Sequence, residues 1–589
     1  MDRIADRICR YSDPCILGGV LGALIFGSKR CFRCILLLLA TQAAHLCYAD
    51  QLDDLACDFW AWRAAEQPVS SDDVNRIEPP AEWVPNWSPA AVGRYNKELE
   101  QFETKWKKID ASAWPVARQV DYRLMGSALA RVRWELDFTK SWQRNPEFYF
   151  DQTLGAYYSL LLRPLPFDER RTRQIVATLN SIPGTIEDGK KNLTDPAAPF
   201  ARLAVTGLTD VRSRLLKSVH ELKPVLSPST AGDVEGAAER AIKALESFRD
   251  WLNDRLPSLS TKTAVGRDSY IFFLKNVALI PFTPEQVLSM GHQEWARSVA
   301  SQTYEAHRNR DAPELRAFKD EGEQIAAEEK DELAIRQYLE SKELLTVPAW
   351  MQHYRYQPIP AYLSALGGPG EADDFTGPSR LKENSTRYIV PPALELGYFA
   401  STMAKDPRPL IVHEGVPGHY FQLALGWANP DPIRRHYYDS VANEGLGFYA
   451  EEMIMNAGLF DDSPHTREII WNFMRLRALR VEVDVKLALG EFTMEQAADY
   501  LKNTVPMDSD TAHAEAAMFA SIPGQAISYQ IGKLLINDFL ASAQRQKGDA
   551  FNLRAFHDFL WQSGNVPITL QRWEYLGLKD QLDAVMRLH

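Results

Sequence analysis

The stretch GAAERAIKALESFRDWLNDRL, residues 236–256, shows the pattern that decides the fold. Its apolar residues Ile242, Leu245, Phe248 and Leu252 recur at steps of three and four. That spacing places them on one face of an α-helix, with charged residues on the other face. The stretch therefore predicts an amphipathic helix that packs against other helices.

The same spacing returns in two long segments, TREIIWNFMRLRALRVEVDVKLALG (466–490) and GQAISYQIGKLLINDFLASAQRQ (524–546). Strand-like alternation is rare and short, so the sequence predicts a mainly α, multi-helix protein. The longest Pro- and Gly-rich interruption, residues 362–380, could cover a substrate or simply connect helices on the surface. We expect two lobes, a helical scaffold at 50–340 and a catalytic lobe at 341–589. The alternative is that residues 50–589 form one domain of a single protein family.

The composition is that of an acidic globular protein. Its 589 residues are 45% hydrophobic and 24% charged, which is ordinary for a folded chain. The formal net charge is −12, whereas proteins that bind nucleic acid present a basic face. We therefore expect no nucleic-acid partner.

Residues 1–49 differ from the rest of the chain. They contain two apolar runs, CILGGVLGALIFG and CILLLLATQAAHLCYA, separated by Lys29, Arg30 and Arg33. The second run is about 16 residues long, short for a membrane span, and ends like a signal-peptide cleavage site. We expect export to the periplasm or the medium, with no stable membrane association after cleavage. An uncleaved N-terminal anchor is the alternative.

The decamer HEGVPGHYFQ, residues 413–422, carries the strongest chemical signal. Zinc hydrolases need three protein ligands and a base that takes a proton from water. In the common zinc-protease helix the two histidines are four residues apart, whereas His413 and His419 are six apart. On a regular helix that spacing turns the side chains about 240° apart, so they could not share a metal.

A break in the helix would bring the two histidines together. Pro417 lacks the N–H that would bond to the carbonyl of His413, and Gly418 tolerates unusual backbone angles. We expect a bulge or short loop at residues 416–418 that returns His419 to the side of His413. The alternative is a capped turn with two surface histidines.

Carboxylates that could complete a metal site follow in NEGLGFYAEE, residues 443–452. Glu444 and Glu451 are seven residues apart and share a helical face. We favour Glu444 as the third ligand, flanked by glycines that allow close approach of another helix, with Glu451 as its competitor or as a partner of a ligand. Glu414, next to the first histidine, is then the candidate base. The alternative for these carboxylates is a solvated acidic face.

Together with RALRVEVD, SIPGQAISYQIGKL and FHDFLWQSGNVPITL, these motifs resemble the bacterial family catalogued as domain of unknown function 885. VGRDSYIFFLKN and FTPEQVLSMGHQEWAR extend the resemblance upstream to about residue 265. The family is similar to gluzincin metallopeptidases, so the resemblance implies a helical, two-lobed fold with a metal site between helices. It also implies one Zn²⁺ ion held by His413, His419 and Glu444, with Glu414 as the base.

The sequence departs from the family pattern at three places. The His that follows the second ligand is Tyr420 here, and an Arg-Tyr pair before PGQA is Met518-Phe519. A His expected after the RVEVD segment is replaced by Ala488. Such groups could bind a substrate, so the resemblance implies more about the metal than about the substrate class.

A few further residues are candidates for contact with a substrate. Tyr529 keeps the family's tyrosine and could donate to the transition state, or pack in the core. Arg477 and Arg480 share a helix face with Asp484 and could bind a carboxylate such as a peptide C-terminus. An internal salt bridge with Asp484 is the favoured alternative for this pair. Tyr420 is a weaker candidate.

These signals together predict an exported zinc-dependent metallopeptidase acting on short peptides, with Glu414 as general base. The preference for short peptides rests on analogy with other helical proteins that enclose a metal cleft. Two alternatives stay open: a zinc hydrolase of non-peptide amides or esters, and a zinc-binding protein with weakened catalysis.

Overall fold

The computed structural model describes residues 51–69, 77–228, 231–366, 381–392, 396–505 and 507–589. The described chain is mainly helical, as the sequence predicts. The predicted signal segment and residues 367–380 of the predicted covering loop lie outside the described residues. No described helix combines the length and the apolar character that crossing a membrane requires.

In the first part of the chain, the described helices are α1 (residues 51–66), α2 (Pro89–Lys107), α3 (Val116–Arg133), α4 (Ser141–Arg144), α5 (Pro146–Phe150), α6 (Ala156–Leu162), α7 (Glu169–Asn192), α8 (Ala198–Gly207), α9 (Val211–Leu222), α10 (Asp233–Arg255), α11 (Arg267–Phe272), α12 (Pro284–Asn309) and α13 (Glu321–Ser341). Residues 236–255 of the amphipathic stretch lie in α10, and Ile242, Leu245, Phe248 and Leu252 are fully buried.

In the second part, the described helices are α14 (Ala361–Ser364), α15 (Tyr398–Met403), α16 (Arg408–Leu410), α17 (His419–Ala428), α18 (Pro432–His436), α19 (Ser440–Asn456), α20 (Pro464–Leu489), α21 (Met494–Thr504), α22 (Ser509–Ser521), α23 (Gln525–Lys547), α24 (Leu553–Gln562), α25 (Ile568–Leu576) and α26 (Asp580–Met586). Wider π turns span Trp134–Thr139, Asp151–Gly155, Phe273–Val277 and Ile411–Gly415, and 3₁₀ turns span Lys223–Val225, Leu256–Ser258 and Gly548–Ala550.

Two five-residue strands, β1 (Tyr354–Pro358) and β2 (Ser385–Ile389), form a parallel pair. Tyr354 lies opposite Ser385, and Pro358 lies opposite Ile389. β1 packs against α13, so the small sheet stands beside the π turn that precedes α17.

Apolar side chains form two large cores. One draws mainly on residues 52–252 but also takes Leu570 and Trp573 from α25. The other contains Trp134 and then runs from Tyr270 to the end of the chain. The predicted lobe boundary near residue 340 therefore falls inside the second core.

Helices α12 and α20 pack against each other along their length. Thr283 and Gln286 form a capping box that begins α12, and Gly490, at φ 81°, ends α20. A Cβ at Gly291 would lie 2.9 Å from Cγ1 of Val481, so glycine permits this close approach.

A buried group of charges ties α12, α19 and α23 together. Lys533 is fully buried, with Nζ 2.8 Å from Glu452 and 3.3 Å from Glu294. Arg297 pairs with the same two carboxylates. Burial raises the pKa of Glu452, but Lys533 and Arg297 outweigh this effect and lower the pKa to about 2. The group fixes the helices that flank the candidate metal ligands.

Helices α19 and α23 cross at a pair of glycines. A Cβ at Gly445 would lie 2.5 Å from Cα of Gly532, which is closer than any side chain allows. The expectation that glycine beside Glu444 permits close helix approach is confirmed.

We predict that Gly445→Ala lowers the free energy of unfolding by about 1–3 kcal/mol, because the added methyl group separates α19 from α23. Thermal and denaturant unfolding measure the change. Gly93→Ala in α2 is the matched control, since nothing lies within 4 Å of a Cβ there. That control is expected to stabilise the helix by about 0.5–1 kcal/mol. Equal effects of the two substitutions on the free energy of unfolding would contradict the close contact of α19 with α23 at Gly445.

Candidate metal centre

The chain leaves the helical path between the two histidines of the decamer. Residues Ile411–Gly415 form a π turn, in which the amide of Val416 donates to the carbonyl of Ile411 at 2.8 Å. Val416 is extended, the peptide bond to Pro417 is cis, and α17 begins at His419. The expected break is confirmed, and the turn before it is widened as well.

Close packing holds this break in place. Gly418 has φ −71°, so a left-handed conformation is not the reason for glycine here. A Cβ at Gly418 would instead overlap the carbonyl oxygen of His413, and only glycine lets the chain fold back so tightly. Trp561 of α24 donates its Nε1–H to the carbonyl of Pro417 at 2.6 Å in the core.

Three donor atoms converge beyond the break. Nε2 of His413 and Nε2 of His419 lie 3.3 and 3.1 Å from Oε2 of Glu444. One donor atom from each residue lies within 4.8 Å of the others. Tetrahedral zinc with bonds of about 2.0–2.1 Å spaces its ligand atoms about 3.3 Å apart, so the set could hold such an ion. Gly447 leaves room behind the rings, because a Cβ there would lie 3.1 Å from His419.

Glu451 acts on the site through His413. Its Oε1 lies 2.7 Å from Nδ1 of His413, so it can orient the ring whose Nε2 faces Glu444. Burial lowers the pKa of His413, but the contacts with Glu444 and Glu451 outweigh it and raise the pKa to about 9. Burial likewise raises the pKa of Glu444, and the two histidines reverse this and hold it well below its usual range.

Glu414 lines the same cavity as the three donors. Its Oε1 lies 3.6 Å from Nη1 of Arg387 on β2. Burial raises the pKa of Glu414, but Arg387 and the two histidines outweigh this effect and lower the pKa. The carboxylate is therefore ionised near neutral pH and can accept a proton.

A cavity of about 380 Å³ opens over the donors. This volume falls within the range of small-ligand sites. Arg387, Arg477, Arg480 and Tyr529 line it on the polar side together with the donors and Glu414. Its apolar lining residues include Ile389, Val390, Leu396, Phe399, Met403 and Leu410.

The two arginines of α20 have different partners. Arg480 forms a buried bidentate pair with Glu515 of α22, with N–O distances of 2.6 and 2.5 Å. Arg477 donates from Nη2 to Oε1 of Glu451 at 3.3 Å, while its Nε and Nη1 have no hydrogen-bond partner among the described residues. Arg480 is thus held in an internal pair, and Arg477 keeps unused donors.

Asp484 has a different role from the one expected. It accepts hydrogen bonds from the amides of Gly524 and Ala526, at 2.9 and 2.7 Å, and from the hydroxyl of Tyr270 at 3.0 Å. The favoured prediction of a salt bridge between Asp484 and the two arginines is wrong. The carboxylate of Asp484 instead stabilises the start of α23.

Tyr529 reaches the cavity from the first turns of α23. Its ring lies nearly parallel to that of His413, with centroids 6.2 Å apart. The guanidinium groups of Arg477 and Arg480 lie 5.7 and 4.8 Å from the centre of the same ring. Tyr529 therefore lies close both to His413 and to the two arginines.

The residues that depart from the family pattern are not among those that line this cavity. Tyr420 is fully buried, with its ring 6.2 Å from that of Tyr354, and does not line the cavity. Phe519 packs under Arg480, and Met518 lines a separate cavity. Ala488 is buried in the core. The candidate role of Tyr420 in substrate binding is not supported by this placement.

Sequence analysis missed Arg387, which faces Glu414. It lies in the strand STRYI, where a single charge among neutral residues is only a weak signal. Gln324 of α13 also lines the cavity and was missed. Both residues are distant from the decamer in sequence and come near it only through the packing of β2 and α13.

Comparisons with known proteins show the family of the chain. A family model described as bacterial protein of unknown function (DUF885) matches residues 75–573. A predicted lipoprotein of unknown function from Shewanella oneidensis is similar in structure, with a TM-score of 0.66 and 18% identity over 89% of this chain and 97% of that one. A predicted lipoprotein from Colwellia psychrerythraea has a TM-score of 0.69 and 16% identity over 90% and 98%. No curated protein matches the sequence.

We predict that Glu515→Ala lowers the free energy of unfolding by about 3–5 kcal/mol, because it leaves the charge of Arg480 buried and unpaired. The double variant Arg480→Met/Glu515→Leu should recover most of this loss in denaturant unfolding. Glu169→Ala, which breaks an exposed pair with Arg173, serves as the control and should change stability little. A mild effect of Glu515→Ala would show that Arg480 does not need this partner.

Proposed function

The chain belongs to the DUF885 family of bacterial proteins of unknown function, and we propose that it is a zinc-dependent metallopeptidase. The observation that carries the proposal is the convergence of His413, His419 and Glu444 at the edge of a cavity. Two imidazoles and a carboxylate are a normal ligand set for a catalytic zinc that keeps one position open. The spacing of the donor atoms fits a single Zn²⁺ ion.

The reaction is the hydrolysis of a peptide bond. When bound, zinc supplies Lewis-acid chemistry, which acidifies water and polarises a carbonyl oxygen. Glu414 accepts a proton from the water, whose oxygen attacks the carbonyl carbon. As the C–N bond breaks, Glu414 returns the proton to the leaving amine. Arg387, 3.6 Å away, keeps Glu414 ionised before the reaction.

Tyr529 is the proposed donor to the oxygen that gains charge in the transition state. Its position on the cavity wall beside His413 supports this role. The hydrogen bonds that Asp484 accepts from the amides of Gly524 and Ala526 hold the start of α23, and Tyr529 with it, in a fixed place.

Short peptides are the proposed substrates, because the cavity is small and has an apolar wall that suits side chains. We place the protein in the cell envelope or outside the cell. The apolar runs in residues 1–49 support export, and the lipoprotein names of the two similar structures support an envelope location.

We predict that the purified protein binds one equivalent of zinc and hydrolyses short peptides. Glu414→Gln should keep the zinc but lower kcat by about 100- to 10,000-fold, because only the proton acceptor is lost. His419→Ala and Glu444→Ala should lose zinc as well as turnover. Elemental analysis of the protein and peptide hydrolysis assays measure both quantities.

His513→Ala is the control for the histidine variant, since His513 is exposed and does not line the cavity. It should retain both zinc and turnover. Full activity of Glu414→Gln would refute the proposed base. Turnover of small amides or esters but not of peptides would point to the non-peptide hydrolase. Stoichiometric zinc without any turnover dependent on Glu414 would point to a zinc-binding protein.

A further inference from the structure

The cavity contains an arginine whose hydrogen-bonding capacity the protein leaves unused. Arg477 is 4% exposed and lines the cavity over the metal donors. Only its Nη2 donates to a protein group, while Nε and Nη1 have no hydrogen-bond partner among the described residues. A buried cation with unused donors favours an anionic ligand, because desolvated charge needs compensation.

The carboxylate that accepts from Arg477 also contacts a second residue. Oε1 of Glu451 lies 3.3 Å from Nη2 of Arg477 and 2.7 Å from Nδ1 of His413. Glu451 is therefore shared between Arg477 and a proposed metal ligand. Since Glu451 touches both residues, Arg477 lies one side chain away from a metal ligand.

The other cavity arginines are engaged differently. Glu515 occupies Arg480 with two short hydrogen bonds. Nε of Arg387 also has no hydrogen-bond partner among the described residues, but Arg387 faces Glu414, whose negative charge opposes the approach of a second anion there. Arg477 is thus the cavity arginine best placed to receive an anion.

The surroundings of Arg477 favour a planar anion. Phe448, Phe473 and Tyr529 lie around its guanidinium, with ring centres 5.3, 5.0 and 5.7 Å away. These rings fix the plane of the guanidinium, and a fixed guanidinium matches the fork of a carboxylate. The apolar wall formed by residues such as Phe399 can receive an adjacent side chain.

We propose that Arg477 binds the C-terminal carboxylate of the substrate, so that the protein cleaves short peptides near their C-terminal end. This inference rests on the proposed peptidase function. The products are the shortened peptide and a released C-terminal amino acid or dipeptide. Water supplies the hydroxyl to the new carboxyl group and the proton to the new amine.

The test compares N-acetylated tetrapeptides that end in Phe or Leu as free acids with the same peptides as C-terminal amides. For wild type, kcat/KM should be about 10- to 100-fold higher for the acids, as expected for hydrogen bonds to a charged group. Binding of the same peptides to zinc-loaded Glu414→Gln, measured by calorimetry, should show a similar preference. Equal rates and equal affinities for acids and amides would overturn the proposal while leaving the peptidase function intact.

Substitutions of Arg477 test whether this residue causes the preference for free acids over amides. Arg477→Met should reduce the acid-to-amide ratio to about one, and Arg477→Lys should restore part of it. Arg475→Met is the matched control, because Arg475 lies on the same helix but bonds to Gln302 and Thr504 outside the cavity. A preference for acids that survives Arg477→Met in a folded, zinc-loaded protein would overturn the assignment. Acid-selective binding without hydrolysis of any peptide would refute the peptidase function but support the carboxylate site.

Discussion

The close contact between the carbonyl group of His413 and the backbone of Gly418 is the constraint on which the site depends. Because no Cβ stands at residue 418, the chain reverses within a few residues and α17 starts at His419 on the side of His413. The π turn before the break and the hydrogen bond from Trp561 to Pro417 stabilise the same geometry. Without this reversal, the six-residue spacing would point the two imidazoles apart.

Tight helix packing positions Glu444, the third residue of the candidate metal site. Glu444 reaches the histidines because α19 approaches α23 at Gly445 and Gly532, while the buried charges around Lys533 hold both helices against α12. These contacts lie outside the cavity, yet they determine the position of a side chain inside it. The position of Glu444 in the candidate metal site is thus set by the surrounding helices.

The contacts of the buried charged residues distinguish Arg480, which has a structural role, from Arg477, which can bind a ligand. Arg480 forms an ion pair with Glu515, and Asp484 accepts hydrogen bonds from amides at the start of α23. Arg477 instead contacts Glu451, a carboxylate that also contacts His413. All three residues share a face of α20, so their spacing in sequence could not distinguish these roles, which depend on the helices that pack opposite them.

Local pattern in the sequence determined the helical class, predicted the break between the histidines and favoured Glu444 as the third ligand, with Glu451 left open as its competitor. These features depend on periodicity and on the chemistry of single residues, which a sequence displays directly. The tertiary structure alone decided that Arg387 faces Glu414, that Asp484 caps α23 and that Tyr420 is buried away from the cavity. Such contacts join residues far apart in the chain, and the packing of whole helices and strands, which no local pattern records, brings them together.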